Sequence, residues 1–363
     1  MPRKTKYDHL LLFITLVLSG IGVTMIYSSS AIIALEDYND PFYFLKKQVL
    51  FISIGLVLML VATHIDYHYL RKLTIPILGI SFLMLIAVLI PGLGIEKNGA
   101  KRWLNIGGIV FQPSEFAKFS VILYTAYSIS KRKEKLREFF NGALPLLLVL
   151  GVFSILLLLQ PDLGSVITLA TTVFLLLFAG GVRMSHLVSL ALCSLPFLYL
   201  SISNVSYRKR RILAFWDPWS DPLDSGFQII QSFLAFGRGG IWGVGIGDGK
   251  EKLFYLPWPH TDFILSIIGE ELGLIGVSTV IVLFFLLAWR GIRVSLNSKD
   301  LFGTFLSLGI TVLIGLQSAI NIGVALGLFP TKGLPLPLIS YGGSSVVLSL
   351  FSIGVLLSIS EHT

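Results

Sequence analysis

The sequence predicts an all-α polytopic membrane protein of about ten transmembrane helices, with a long outer loop between spans 7 and 8. Three observations carry that prediction. Of the 363 residues, 54% are hydrophobic and only 13% are charged, where a soluble domain carries about a quarter charged. The mean hydropathy is +0.83. The apolar residues also come in blocks of about 16 to 25, the length that crosses roughly 30 Å of hydrocarbon.

Taken in order, the blocks lie at about 9–30, 46–64, 74–92, 114–130, 143–159, 163–182, 185–203, 263–289, 302–327 and 341–360. The first is too long for a signal-peptide core and has no A-x-A cleavage site near its end, so it is expected as an uncleaved first span. Several blocks contain Gly or Pro, which membrane helices tolerate when neighbouring helices or water satisfy the freed backbone. The single cysteine, Cys193, lies in the seventh block and leaves no internal disulfide. His64 and His68 are four apart, as helical metal ligands can be. They stand at a span end beside Tyr67 and Arg71 and read as interfacial residues, so no structural metal site is expected.

Lys and Arg in the short loops set the orientation. With a cytoplasmic N-terminus, that side receives Arg3, Lys4, Lys6, Arg71, Lys72, Lys131, Arg132, Lys133, Lys135, Arg137, Arg183, Arg290, Arg293 and Lys299. Those fourteen face six on the other side: Lys46, Lys47, Lys97, Lys101, Arg102 and Lys332. Ten spans then put both termini in the cytoplasm. The loop at about 204–261 adds seven basic residues on the outer face; its length gives it little weight in the orientation rule, and topology does not explain its charge. The inner part of the +8 net charge meets anionic lipid. No basic, aromatic-rich soluble domain points to nucleic acid. No internal repeat, low-complexity tract or second soluble domain interrupts the pattern, so residues 1–363 are expected to form one membrane domain.

The outer loops carry the chemistry. In "NGAKRWLNIGGIVFQPSEFAK" (98–118), Lys101 and Arg102 precede Trp103, a Gly pair makes a turn, and Pro113-Ser114 starts span 4 with Ser114 as N-cap or N1. Glu115 and Lys118 share a helical face. They form either an i,i+3 ion pair with interfacial snorkelling or a polar site opening outward, since ionisable groups in a span usually face a cavity or a partner. "LLQPDLG" (158–164) joins spans 5 and 6 almost without a loop. Asp162 there is either the cap of the next helix or a carboxylate fixed at a broken-helix junction.

"YRKRRILAFWDPWSDPLDSGFQ" (207–228) holds four consecutive basic residues, Arg208 to Arg211, followed by Trp216 and Trp219. It reads as an amphipathic interfacial helix or as a clamp for an anion such as pyrophosphate. "GRGGIWGVGIGDGKEKL" (237–253) lacks the strand–loop–helix context and the terminal Lys-Ser/Thr of a phosphate loop. Its glycines are explained by backbone packed close to a helix or ligand. In "YLPWPHTDFILSIIGEELGLIG" (255–276), His260-Thr261-Asp262 begins span 8. Asp262 either caps that helix or serves an embedded polar pocket. Glu270 lies about 12 Å deeper at 1.5 Å per residue, roughly 80° round from Asp262. Ser266, Gly269 and Gly273 follow the Asp262 face more closely and permit close packing or a groove.

Together, "KLFYLPWPHTDFILSIIGEELGLIG", "NGAKRWLNIGGIVFQPSEFAK", "QPDLG", "YRKRRILAFWDPWSDP" and "FPTKGLPLPLISYGGSS" (329–345) resemble the SEDS family (FtsW, RodA and SpoVE), in the family's order and across all ten spans. The "PTKG" form at 330–333 looks more like the division and sporulation branch than RodA. The resemblance implies a peptidoglycan glycosyltransferase that polymerises lipid II at the outer face of the bacterial cytoplasmic membrane, for division or cell shape, releasing undecaprenyl pyrophosphate. The family's catalytic carboxylate falls on Asp262, within His260-Thr261-Asp262. Lys101, Arg102, Lys118 and the run Arg208 to Arg211 are the candidates to steady the anionic leaving group, with Glu115, Asp162, His260 and Thr261 as further substrate-binding candidates. A divalent cation (Mg2+ or Mn2+) is admitted as cofactor, although no residue pattern specifies one. The implied partners are lipid II, a class B penicillin-binding transpeptidase and other proteins of the division or elongation complex. "GEELG" is shared with the family, and Glu270 and Glu271 are read as structural support ahead of chemistry. The competing readings are a lipid II flippase and a non-catalytic scaffold. Alternating access calls for mid-membrane polar residues and often repeated halves, whereas the charged motifs here cluster toward one face.

Overall fold

The computed structural model describes residues 7–97, 100–203, 205–253, 256–257 and 259–362. Arg3, Lys4 and Lys6, counted above for orientation, and Tyr255 and Trp258 of the span 8 approach lie outside the described residues. Among the described residues, nine helices are long and apolar enough to cross a membrane: α1 (His9–Tyr38), α2 (Tyr43–His64), α3 (His68–Leu89), α5 (Leu144–Leu159, prolonged by a π turn from Phe139), α6 (Leu163–Gly180), α7 (Met184–Ser203), α10 (Ile264–Asn297), α11 (Leu301–Ala325) and α12 (Gly343–Glu361). The tenth expected span is α4 (Pro113–Arg132). It is less apolar because Glu115 and Lys118 stand in its first turns, and most of it is buried among α3, α6 and α11. The protein is an all-α polytopic membrane protein.

Span positions agree with the sequence, but several helices run further than their apolar blocks. Hydropathy marks where hydrocarbon ends, whereas a helix ends at its cap. So α1 continues past residue 30 through exposed Glu36 and Asp37, until Asn39 adopts φ 52° and donates its N–H back to Leu35 as a left-handed terminator. Likewise α10 continues beyond 289 to Asn297. Helix α4 starts one residue earlier than expected: Gln112 is the N-cap and Pro113 the first helical residue, so Ser114 is neither N-cap nor N1.

Small residues set the close helix approaches. Gly55 of α2 meets Leu350 of α12, Gly354 meets Met59, and Gly309 of α11 meets Ile122 of α4. This is the packing expected where no hydrophobic effect drives helices together. At the end opposite Asp262, Arg290 binds Asp8 at 2.7 Å, Asp8 N–H donates to Ser360, and Ser358 donates to Ile65 O. These contacts hold the ends of α1, α2, α10 and α12 together. His64 bonds the carbonyl of Leu60 while His68 pairs with Asp66, so the two rings serve separate partners.

The loop before α4 holds something not expected from the sequence, a three-stranded antiparallel sheet: β1 (Gly94–Lys97), β2 (Ala100–Ile106) and β3 (Ile109–Phe111). Its second hairpin turns on Gly107-Gly108, both at positive φ (60° and 88°). Those angles suit a two-residue turn matched to strand twist. The long loop contains α8 (Ser206–Trp216) and α9 (Phe227–Gly239). On α8 and just after it, Trp216 and Trp219 are exposed, as an interfacial helix requires.

Candidate active site

Asp262 stands just before α10 begins. The cap of α10 is Phe263, with no side-chain capping bond, so Asp262 is not held there as a helix cap. No described residue donates a hydrogen bond to its carboxylate. The backbone around it is held tightly. Asn321 of α11 donates to the carbonyls of Asp262 (2.9 Å) and Leu334 (2.7 Å). Ser340 donates to Thr261 O at 2.6 Å, and Tyr341 N–H donates to His260 O. The His260 ring is buried against Phe44 (4.5 Å between centroids) and Tyr341 (5.7 Å). Burial pushes its pKa down to about 4, so the ring is neutral at pH 7. Three residues in a row are thus fixed by their backbone while one side chain, that of Asp262, is left for other work.

The charges around that carboxylate come from three loops. Burial pushes Asp262 up to about 6, against the pull of the Arg211 and then the Arg102 guanidinium. Arg211, on α8, donates to Thr331 O at 3.4 Å. Arg102, on β2, donates to Gln160 O (3.0 Å) and Pro161 O (2.5 Å). That fork ties the sheet to the short α5–α6 junction. The segment between α11 and α12 closes over the site: Gly333 lies beside Asp262, and Gly164 packs beside Leu334 and Asp162. Asp162 caps α6, accepting from Ser165 N–H at 3.0 Å and Ser165 Oγ at 2.8 Å. Its charge also supports Lys332, which burial pushes down to about 8.

The structure therefore gathers Asp262, Arg102, Arg211 and Asp162 at one end of the bundle, with the His260 and Thr261 backbone as a frame. It does not gather the rest. Lys118 is fully buried and held by Glu115 at 2.7 Å, the i,i+3 pair. Glu115 also lines a small cavity with Gln317, Ser349 and Ser352. Lys101 is exposed on β2, opposite Glu96 in register. Arg208 donates to Ser201 O at 2.7 Å and so is tied to the end of α7. Sequence reasoning did not select Lys332 or Asn321. Lys332 counts only toward orientation, inside a motif that carries the family and branch resemblance, and Asn321 is a single amide in an apolar run, a signal for an interhelical bond but not for its target. Among the described residues no three His, Cys, Asp or Glu side chains are grouped to hold a metal ion.

Glu270 and Glu271 serve the loop after α9. Gly273 breaks α10, with φ 65° and ψ −162°, and the freed peptide groups bond that loop: Val244 N–H to Glu270 O, Gly245 N–H to Glu271 O, and Leu274 N–H to Gly240 O. Glu270 accepts from Lys250 N–H at 2.8 Å. Glu271 accepts from Lys252 Nζ at 2.6 Å and Ser28 Oγ at 2.7 Å. The support read from "GEELG" is this clamp. Within the Gly-rich stretch, Gly243 leaves no room for a side chain: its φ is 79°, and a Cβ there would stand 2.2 Å from Glu271 O.

Comparison with known proteins supplies the rest. The model of the FtsW/RodA/SpoVE cell cycle protein family matches residues 8–363. The probable peptidoglycan glycosyltransferase FtsW of Geobacter metallireducens is 48% identical over 98% of this chain and 95% of that protein. Stage V sporulation protein E of Bacillus subtilis is 42% identical over 99% of each. Among solved structures, a chain from a peptidoglycan synthase complex that coordinates polymerization and crosslinking superposes with a TM-score of 0.79 at 31% identity, covering 98% of this chain and 97% of that one. The rod shape determining protein RodA of Thermus thermophilus superposes at 0.72 with 29% identity, covering 99% and 98%. With its spans, its motifs and its fold all in agreement, the chain belongs to the FtsW/RodA/SpoVE family of cell cycle proteins.

Proposed function

We propose that this chain is a peptidoglycan glycosyltransferase that polymerises lipid II, with Asp262 as its general base. The observation that carries the reading is Asp262 itself: a carboxylate unused by its helix, framed by fixed backbone, raised toward neutrality and flanked by two guanidinium groups. A base with pKa near the working pH is in the effective range for proton transfer, worth about 10²- to 10⁴-fold.

In the proposed step Asp262 takes the proton from the 4-hydroxyl of an acceptor GlcNAc. The oxygen forms a bond to the anomeric carbon of the donor sugar as the bond to undecaprenyl pyrophosphate breaks. Negative charge grows on that leaving group, and Arg102, Arg211 and Lys332 supply the fixed positive charge that stabilises it. Lys101 and Arg208 are assigned to the approach over the outer loops. The Glu115–Lys118 pair is assigned to holding the bundle beneath the site. A divalent cation would come with the substrate's own pyrophosphate and help neutralise it, since no three described His, Cys, Asp or Glu side chains are grouped to hold one.

The Asp262 end is assigned to the outer face of the bacterial cytoplasmic membrane, with both termini inside, because the lysines and arginines of the short loops concentrate at the other end. A class B penicillin-binding transpeptidase, within a division or elongation complex, is the proposed partner that crosslinks the product. Purified protein with lipid II, alone and with that partner, tests the reading. Wild type should give glycan polymer and Asp262→Asn none; equal polymer from both overturns the role of Asp262. Polymer from neither favours flipping or scaffolding.

A further inference from the structure

The loop between α9 and the break in α10 is the part of the molecule that the proposed reaction leaves unused. Residues Gly240 to Gly245 run beside Gly273, and their backbone takes over the bonds that a continuous helix would have made. Leu274 N–H donates to Gly240 O (2.9 Å) and Ile275 N–H to Ile241 O (3.3 Å). Val244 and Gly245 N–H donate to Glu270 and Glu271 O, both at 3.0 Å. Non-helical backbone at membrane depth is tolerated only where protein or water satisfies it, and here protein satisfies it.

The side chains of the same loop face the other way. Ile241 is 59% exposed, Trp242 82%, Val244 41% and Ile246 58%, and next to them Leu274 and Ile275 beyond the break are also exposed. Depth decides what meets this patch. At the far end of α10, Arg290 pairs with Asp8 at the start of α1 and marks that membrane boundary, where Arg and Lys collect. From Arg290 to Gly273 is about 26 Å at 1.5 Å per residue, short of the roughly 30 Å hydrocarbon core. Any tilt or kink of α10 brings Gly273 deeper still. Asp262 lies eleven residues further along the chain, past the break and before the first turn of α10.

We infer that residues 240–246 form a re-entrant loop whose Ile241, Trp242, Val244 and Ile246 side chains lie among the acyl chains of the leaflet on the Asp262 side. The occupant of this patch is phospholipid hydrocarbon, continuous with the lipid-facing surface of α10. Its anchor is protein: the Lys252–Glu271 pair and the peptide N–H groups received by Glu270 hold the returning limb against the half-helix that follows Asp262. Arg238, at the end of α9, is half exposed while paired with buried Glu251, the geometry of a side chain reaching from an apolar flank toward headgroups.

Site-directed spin labelling tests this on the full chain. In a Cys193→Ser background, single cysteines are introduced by Trp242→Cys, by Phe285→Cys on the exposed middle of α10, and by Glu134→Cys in the exposed loop between α4 and α5. Each is labelled in nanodiscs of phosphatidylcholine and phosphatidylglycerol, and collision with oxygen and with a water-soluble nickel chelate is measured. The label at 242 should be rich in oxygen collisions and should lose nickel access relative to 134, as the label at 285 does. Nickel access at 242 equal to that at 134 overturns the inference. So does a label at 242 that neither reagent reaches, because protein and not lipid then covers the loop.

Discussion

Gly333 closes over Asp262: a Cβ on Gly333 would stand 3.1 Å from Asp262 Oδ2. The segment from Pro330 to Leu334 is therefore a roof on the carboxylate, and its smallest residue is where the two approach. Gly333→Ala should push the carboxylate aside by a few tenths of an ångström without disturbing any helix. We expect kcat to fall about tenfold, close to 1.4 kcal/mol of barrier, with KM and Tm near wild type. Steady-state polymerisation alongside thermal unfolding in detergent checks this; an unchanged kcat would remove the roof from the mechanism.

The pH dependence follows from Asp262. With its pKa raised to about 6, the carboxylate form is present above that value and is lost as pH falls through it. Polymerisation should be half-maximal near pH 6 and drop about tenfold per unit below. Arg211→Gln removes a charge that holds the pKa down, so the acid limb should move to higher pH. A limb that stays in place in Arg211→Gln would show that Asp262 is not the titrating group.

The same shift has a stability consequence of opposite sign. A carboxyl that binds its proton more tightly when folded makes the protein less stable as pH rises from about 4 to about 6. The shift from 3.8 to about 6 corresponds to at most about 3 kcal/mol. Asp262→Asn should therefore raise Tm at pH 7 while abolishing activity, and the gain should vanish below pH 4. Equal Tm differences at both pH values would contradict it.

Lys252 and Glu271 are both buried and 2.6 Å apart. Removing one partner strands the other charge, at a cost of about 3–5 kcal/mol, whereas replacing both by neutral groups of similar volume is nearly tolerated. Glu271→Gln and Lys252→Met should each lower Tm strongly, and the double variant should recover much of the loss. An additive double variant would mean that the pair is not coupled.

Arg102 and Arg208 separate the site from its surroundings. Arg102→Ala loses a fork of two hydrogen bonds and a charge that reaches Asp262, and polymerisation should fall by at least tenfold, or about 1.4 kcal/mol. Arg102→Lys keeps the charge but not the fork and should be intermediate. Arg208→Ala, tied to Ser201 on α7, should leave kcat within about twofold, since its substitution removes no charge that acts on the base. Equal losses at both positions would point to a diffuse electrostatic effect.

Much of the architecture is legible in the sequence. The ten spans follow from blocks of apolar residues, because crossing hydrocarbon imposes a length and forbids most charge. Asp162 as a cap and Glu115–Lys118 as a pair follow from spacing along one helix. The small sheet before α4 was not legible: its strands are short, and only the Gly107-Gly108 turn signalled it. Lys332 and Asn321 were missed for a related reason, since each acts on a partner far away in sequence.

The class of protein and the places where the chain crosses could be read from the residues alone, because each rests on composition or on residues close in the chain, whereas the choice of Asp262 over its neighbouring acids came from the resemblance of its His-Thr-Asp motif to the family's. Packing settled the rest: Asp262 is no helix cap, Arg102 and Arg211 but not Arg208 act on it, and Glu270 and Glu271 clamp a loop into a broken helix. Those outcomes depend on which distant backbone groups need hydrogen bonds and which charges burial brings together. Such facts exist only once the helices have packed.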